Sequence, residues 1–227
     1  MRRFMIIGGV LAITLFGAVA VMPALAVTLP AVLFLAGKTS AVAKASSTSV
    51  TSLETVIGSK ISGKGVEGTL TATTNGSALG TYVLVFKEVA EGVNKCKTGT
   101  LAAGNVEYKG EFHLVTISEA PLTIGLLYLV PTTTVLCGST EKPERFKIKI
   151  EGGMLASFGG TVNSESKEFT TSLKGTKGKP EKATYLNDAG ESQHVSLKAN
   201  FGLGAEECIE NVAEPMTFTS EGLTVDG

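Results

Sequence analysis

Hydrophobic and polar residues alternate over much of the chain, which is the spacing of half-buried β-strands. In VEGTLTATT (66–74), Val66 and Leu70 share one face, while three threonines share the other. Similar runs follow, with glycine, asparagine or proline between most of them: RFKIKIE (145–151), EFTTSL (168–173) and HVSLKANF (194–201). The pattern predicts an all-β fold, an antiparallel β-sandwich or β-barrel of about eight to twelve strands.

The clearest turn signal is Asn75-Gly76, which lies between VEGTLTATT and LGTYVLVF (79–86). Both central positions of a type I′ turn need positive φ, which asparagine and glycine adopt more readily than other residues. We therefore expect a β-hairpin whose two strands are joined at Asn75-Gly76.

Two of the strand-like runs, TYVLVF (81–86) and GLLYLV (125–130), are apolar on both faces. A strand of this kind is buried on both sides, either in the centre of a sandwich or beneath a covering segment. The apolar stretch AVLFLAG (31–37) is the segment that we expect to form a buried first strand or a docked arm and to supply this cover.

One stretch, GAEECIENVAEP (204–215), favours a helix over a strand. A helix would expose Glu210 and three further glutamates and would turn Cys208 and Val212 toward a buried side, and Pro215 would end it. The glutamates lack the alternating Asp or Asn ligands and the glycine bend of a calcium loop. We predict at most one short helix near 205–213, with solvated glutamates and no metal.

The N-terminus has the three parts of an export signal in order. Two arginines precede an apolar run, and Ala24-Leu25-Ala26 supplies the small residues of a cleavage site. We predict a signal peptide over 1–26, an apolar arm and low-complexity linker over 27–52, and a single β domain over 53–227. An irregular edge strand is the alternative to a linker over 38–52. The expected location is secreted or cell-surface associated. Membrane attachment is expected only if the N-terminal segment is not cleaved.

Charge and composition argue against a nucleic-acid partner, because proteins that bind nucleic acids carry a clustered basic face. The chain carries 20 basic and 21 acidic residues, a formal net charge of −1 at pH 7, and it loses two arginines with the signal peptide. The densest basic stretch, KGTKGKPEK (174–182), contains glycines and a proline. We interpret it as a solvated loop.

The sequence lacks the motifs of common catalytic sites. No G-x-S-x-G elbow and no H-E-x-x-H zinc motif occurs, and His113 and His194 each stand alone in a strand-like run. We predict no enzyme activity, no cofactor and no metal. A pair of carboxylates for glycoside hydrolysis stays an open alternative, because the separation that matters there is spatial.

The three cysteines, Cys96, Cys137 and Cys208, include no C-x-x-C pair, the spacing typical of redox and many metal sites. An exported chain meets oxidising conditions, which favour a disulfide. Cys96 and Cys137 both precede small, turn-forming residues at the ends of strand-like runs, whereas Cys208 lies among glutamates. We predict a Cys96–Cys137 disulfide, with Cys208 as a free and buried thiol.

Six segments made of turns and strand cores are spread over most of the chain after the predicted signal peptide: LPAVLFLAG, GKGVEGTL, KCKTGTLAAGNV, GEFHLV, LCGST and KANFGLG. Together they resemble a group of uncharacterised exported all-β proteins from soil actinobacteria. The resemblance implies an exported β domain and brings no known activity, cofactor or catalytic residue. It also implies that Cys208 is particular to this chain, which again favours the Cys96–Cys137 pair.

These observations favour an exported, non-catalytic β domain with a structural or binding role toward an unknown macromolecule. The alternative is a carrier that holds a small apolar ligand inside a barrel, which needs a closed cavity of roughly several hundred Å³. Four aromatic side chains are the candidates to line such a cavity: Tyr82, Phe86, Phe112 and Tyr128. A hydrolase with a carboxylate site is the third hypothesis.

Overall fold

The computed structural model describes residues 30–34, 38–139, 141–142 and 144–226. These residues form 17 β-strands and no helix. The predicted all-β, antiparallel fold is confirmed, but the predicted eight to twelve strands are too few, because several strands are only two or three residues long. The strands make one large sheet and a separate two-stranded hairpin. The predicted signal peptide, 1–26, lies outside the described residues.

The strands range in length from 2 to 17 residues. Their bounds are β1 Ala31–Phe34, β2 Ala41–Thr55, β3 Lys60–Ala72, β4 Leu79–Phe86, β5 Ala90–Glu91, β6 Asn94–Thr98, β7 Val106–Glu119, β8 Leu122–Gly138, β9 Phe146–Gly159, β10 Glu165–Ser172, β11 Gly175–Thr176, β12 Lys179–Pro180, β13 Thr184–Leu186, β14 Ser192–His194, β15 Leu197–Asn200, β16 Ala205–Val212 and β17 Met216–Asp226.

Four long strands, β2, β3, β8 and β9, pair as two antiparallel hairpins. At one end, β4 and β7 connect β3 to β8, and β10 and β17 connect β9 to β2. The strands therefore pair in a closed circuit, in the order β2–β3–β4–β7–β8–β9–β10–β17 and back to β2. At the other end β5, β6, β15 and β16 close a circuit with the same four long strands. The sheet therefore contains two closed circuits of strands, which we call the first ring and the second ring.

Each of the four long strands contributes to both rings, and each has an irregularity between the part in the first ring and the part in the second. The register shifts after Ser47 in β2 and after Val130 in β8. Opposite these shifts, Gly65 of β3 has a φ of 94° and Gly152 of β9 has a φ of 119°. Bulges and glycines bend and twist strands, which allows one strand to pair with different neighbours along its length.

Side chains fill the interior of both rings. The inward face of β4 contributes Tyr82, Leu84 and Phe86, each at most 2% exposed. Tyr82 also meets Tyr128 edge to face, with ring centroids 4.9 Å apart. Burial of large apolar and aromatic side chains is the main favourable term in folding, and here the apolar side of the alternating strands supplies it.

A second, smaller apolar cluster lies on the outer face of the first ring. Val115, Leu127 and Leu155 of β7, β8 and β9 are buried beneath Tyr185 and Val195, from the segment around β13 and β14. The GLLYLV run is therefore covered on both faces, as its sequence indicates. The same expectation is wrong for TYVLVF, because Val83 on the outer face of β4 is 37% exposed.

Residues 31–34 of AVLFLAG form β1, which pairs with β17, and Val32 is buried, so the predicted first strand is present. These residues are not among those that cover the outer cluster.

Two predicted elements are wrong. The segment 205–213 is not helical, because residues 205–212 form β16, which pairs with β2 and β15. The segment 41–52 is not a linker, because it belongs to β2, which pairs with β3 along most of its length. Ala43 and Ala45 of this low-complexity stretch are buried. The domain boundary predicted at residue 53 therefore falls inside a core strand.

The hairpin predicted at Asn75-Gly76 is present, because β3 and β4 pair antiparallel. The loop, however, comprises residues 73–78, and of the two turn residues Gly76 alone has positive φ. The backbone of Gly76 and Ser77 hydrogen-bonds to Val32 of β1. The longer loop thereby attaches the first strand to the first ring.

Gly152→Ala is expected to lower the free energy of unfolding by about 2 kcal/mol. The φ of Gly152 disfavours other residues, and a Cβ there would overlap the Ser196 carbonyl oxygen. Gly76→Ala is the matched control, since Gly76 has positive φ and open space around it, and we expect a loss of about 1 kcal/mol. Urea unfolding measures both losses, and equal values would contradict the close approach at Gly152.

Candidate functional site

The carboxyl group of Glu210 of β16 lies in the interior that the rings enclose, although the sequence around it predicts that it is solvated. Successive residues of a strand point to opposite faces, so Cys208, Glu210 and Val212 share the inward face. Pairing with β2 and β15 holds this arrangement, because a slip of one residue would reverse every side chain. Glu210 is 4% exposed.

Glu210 accepts a hydrogen bond across the interior from Tyr108. The Tyr108 hydroxyl donates to Oε2 of Glu210 at 3.1 Å. Tyr108 is 1% exposed, and its ring packs against Phe86 with centroids 5.3 Å apart. Beside the pair is a void of about 10 Å³, which Thr51 also lines. The structure therefore contains a buried carboxyl–phenol pair where the two rings meet.

Burial raises the pKa of Glu210 to about 8, because the carboxylate loses its hydration, and the Tyr108 hydrogen bond offsets only part of this rise. Burial also raises the pKa of Tyr108 far above its ordinary value, and the nearby Glu210 adds to the effect. Burial, followed by the charges of Glu210 and Glu207, raises the pKa of Cys208. At neutral pH the carboxyl, the phenol and the thiol are thus mainly protonated.

A protonated carboxylic acid in a dry site is the form that acts as a general acid in some hydrolases. Glu210 and Tyr108 are both buried, and the adjacent void is close to the smallest that can hold one water. A sugar or peptide substrate does not fit there. The pair therefore gives no support to the hydrolase hypothesis. The raised pKa of Glu210 makes the free energy of unfolding depend on pH.

The predicted Cys96–Cys137 disulfide is confirmed. The two cysteines lie directly opposite each other on β6 and β8, and both are fully buried. β6 is five residues long and belongs to the second ring, so the bond cross-links a short strand of that ring to one of the long strands. Cys208 is a free, buried cysteine on β16, and its raised pKa makes it a poor nucleophile.

The four aromatic residues predicted to line a ligand site are all buried, but no cavity lined by the described residues alone includes more than one of them. Phe112 lines an apolar cavity of about 30 Å³, and Phe86 lines the void beside Glu210. Tyr82 packs on Tyr128, and its hydroxyl donates to the Leu129 carbonyl oxygen at 3.1 Å. A cavity of about 30 Å³ is far below the roughly 300 Å³ of a small ligand pocket.

A larger opening lies on the outer surface beside the hairpin of β11 and β12. This cleft has a volume of about 560 Å³, and its polar lining comprises Lys174, Thr176, Lys179, Glu181 and Asn211. We predicted a solvated loop for KGTKGKPEK, but part of this stretch forms a hairpin. The Lys-Gly pair at 177–178 is the sequence signal that could have indicated its turn.

Within the described part of the chain, no group of three or more histidine, cysteine, aspartate or glutamate side chains could hold a metal ion. The same residues form no helix that is long and apolar enough to cross a membrane. No protein-family model, curated protein or solved structure matches the chain.

Proposed function

We propose that the protein is an exported, non-catalytic β domain that acts outside the cell through contacts made by its outer surface. The observation that carries the proposal is the packing of the interior, where the voids lined by Glu210 and by Phe112 measure about 10 and about 30 Å³. A carrier of small ligands needs an internal pocket roughly ten times larger. A partner would therefore be recognised on the outside of the barrel.

Two features support the exported location. Residues 1–26 have the composition and order of a cleavable signal. The Cys96–Cys137 disulfide is of the kind that forms and persists in oxidising compartments.

Expression of the full chain in a Gram-positive host is expected to deliver the protein to the cell surface or the medium. We expect a mature N-terminus at Val27, because the cleavage site ends at Ala26, and a disulfide-linked peptide pair from a non-reduced digest. N-terminal sequencing and mass spectrometry measure these two properties. Retention in the cytoplasm, with residues 1–26 intact and all cysteines reduced, would overturn the proposal.

A further inference from the structure

The β11–β12 hairpin is held firmly against the outer face of the second ring. Lys177 and Gly178, the two residues of its turn, have φ values of 53° and 73°, as a type I′ turn requires. Gly178 is buried against the backbone at the end of β2, where a side chain would not fit. At the base of the hairpin, the Gly175 amide donates to Oδ1 of Asn211 of β16 at 3.3 Å. The hairpin is therefore fixed at its tip and at its base.

Positive charge is concentrated on this hairpin and its flanks. Residues 174–182 contain four lysines and one glutamate, on a chain whose net charge is −1. Lys174, Lys177 and Lys179 are exposed. None of the four lysines makes an ion pair with another described residue. Unpaired lysines on a fixed hairpin produce a local positive field that attracts anions.

The cleft beside the hairpin combines charged and neutral polar groups. Lys174 and Lys179 supply cationic donors, and Glu181 supplies an acceptor for hydroxyl groups. Oδ1 of Asn211 accepts from the hairpin backbone, so the Nδ2 group is the part of this side chain left to donate to a ligand. The mixture suits a molecule that carries both acidic groups and hydroxyls.

We propose that this lysine cleft binds an anionic polysaccharide at the cell surface or in its surroundings. The inference rests on the proposed function, because it names the partner class of the same exported domain. The acidic groups of the polymer pair with Lys174 and Lys179, and its hydroxyls hydrogen-bond to Asn211 and Glu181. A long polymer suits the site better than a small anion, because the cleft lies at the surface and Lys177 extends the positive charge beyond it.

A nucleic acid fits the site less well. The lysines are confined to one hairpin, whereas nucleic-acid-binding proteins carry a basic face or stripe. The described residues that line the cleft include no aromatic side chain on which a base could stack. Duplex DNA is therefore the competing ligand in the test.

The test is binding of the purified, disulfide-bonded protein to polygalacturonate at low salt, measured by isothermal titration calorimetry, with uncharged dextran and duplex DNA as comparison ligands. Lys174→Ala/Lys179→Ala is expected to lower the affinity about tenfold, because it removes two ion pairs. Asn211→Asp is expected to weaken binding as well. Aspartate still accepts the hydrogen bond from Gly175 but places a negative charge in the cleft. Both variants should keep the native thermal midpoint.

Lys147→Ala/Lys149→Ala is the matched control, because it removes the same charge from exposed positions of β9 that do not line the cleft. Unchanged affinity in this control, beside a tenfold loss in the cleft variant and no binding of dextran, supports the site. Equal losses in the two double variants, equal binding of duplex DNA, or no binding of polygalacturonate would overturn it. The N-terminus and the disulfide are measured separately, so a failure of this inference is distinguishable from a failure of the proposed function.

Discussion

Glu210→Gln is expected to stabilise the folded protein by on the order of 3 kcal/mol at pH 7. The carboxyl of Glu210 has a pKa of about 8 in the folded chain, against an ordinary value of 4.5. Folding at pH 7 therefore requires a carboxylate to take up a proton, and the variant removes this cost. Glutamine keeps the size of the side chain and an oxygen that accepts the hydrogen bond from Tyr108.

The sign of the effect follows from where the proton is bound at each pH. Below about pH 4.5 the carboxyl is protonated in both states, and Glu210 imposes no cost. Between about 4.5 and 8 the unfolded chain releases a proton that the folded chain retains, so the free energy of unfolding falls by about 1.4 kcal/mol per pH unit. Above about 8 both states are ionised and the decline ends. The other titratable groups on this inner face, Tyr108 and Cys208, have raised pKa values and stay protonated over this window.

Urea unfolding at pH 5, 7 and 9 measures this difference. The stability of the native chain should decline over this range, and that of Glu210→Gln should decline much less. Glu207→Gln is the matched control, because Glu207 lies on the exposed face of the same strand, and we expect a change within about 0.5 kcal/mol. Parallel pH profiles for the native chain and Glu210→Gln would contradict the burial of this carboxyl.

Tyr108→Phe gives a second measurement on the same pair. The hydrogen bond from Tyr108 lowers the pKa of Glu210, so its loss should extend the pH-dependent decline to higher pH, while the start of the decline near pH 4.5 stays where it is. It should also lower the stability by about 1–3 kcal/mol, since a buried acceptor loses its partner. A stability loss with no movement of the decline would indicate that Tyr108 contributes by packing alone.

The all-β fold could be predicted because alternation with a period of two is a local property of a strand. The closure of the two rings could not be predicted in this way. It depends on β2 pairing with β17 at one end and with β16 at the other, and no local pattern encodes which distant strand is the partner. The segment that covers Leu127 could not be predicted for the same reason, because its residues lie more than fifty positions later in the sequence.

The interior position of Glu210 is not predictable from GAEECIENVAEP, because this stretch fits both the helical and the strand period. A helix and a strand both put Cys208 and Val212 on one face, but the helix exposes every glutamate, which is their usual environment. The strand puts Glu210 inside, where Tyr108, 102 residues earlier, supplies a hydrogen bond. The choice between the two periods therefore depends on a tertiary contact that the local sequence does not contain.

The type of each tight turn also could not be predicted from the local sequence alone. Asn75-Gly76 has the stronger type I′ signal, yet the turn with positive φ at both positions is Lys177-Gly178. At the first site the loop hydrogen-bonds to β1. At the second, the short β11–β12 pairing and the close approach of Gly178 to β2 favour the two-residue turn. Tertiary contacts thus outweigh the local preference in both places.

Cys96→Ala/Cys137→Ala is expected to lower the free energy of unfolding by about 4 kcal/mol. The disulfide joins positions separated by 41 residues, and a cross-link over that distance strongly restricts the unfolded chain. Both side chains are fully buried, so the substitution also leaves space in the core. Reduction of the native protein, followed by urea unfolding in the presence of the reductant, keeps both side chains and should reproduce most of the loss.

The destabilisation caused by loss of the disulfide should also be concentrated in the second ring. β6 pairs with β8 over four positions and with the two-residue β5 on its other side. Backbone hydrogen bonds also join it to Val89, Gly104 and Asn105, so the disulfide adds a covalent link to a short strand that is otherwise held by a small number of hydrogen bonds. Without the bond we expect faster hydrogen exchange in β5 and β6, while β4 and β7 of the first ring keep their protection. Cys208→Ala is the control, because it removes a buried thiol without breaking a cross-link, and it should cost about 1 kcal/mol. A double variant no less stable than this control would show that the disulfide contributes little to stability, and exchange that rises equally in both rings would contradict a specific role of the disulfide in the second ring.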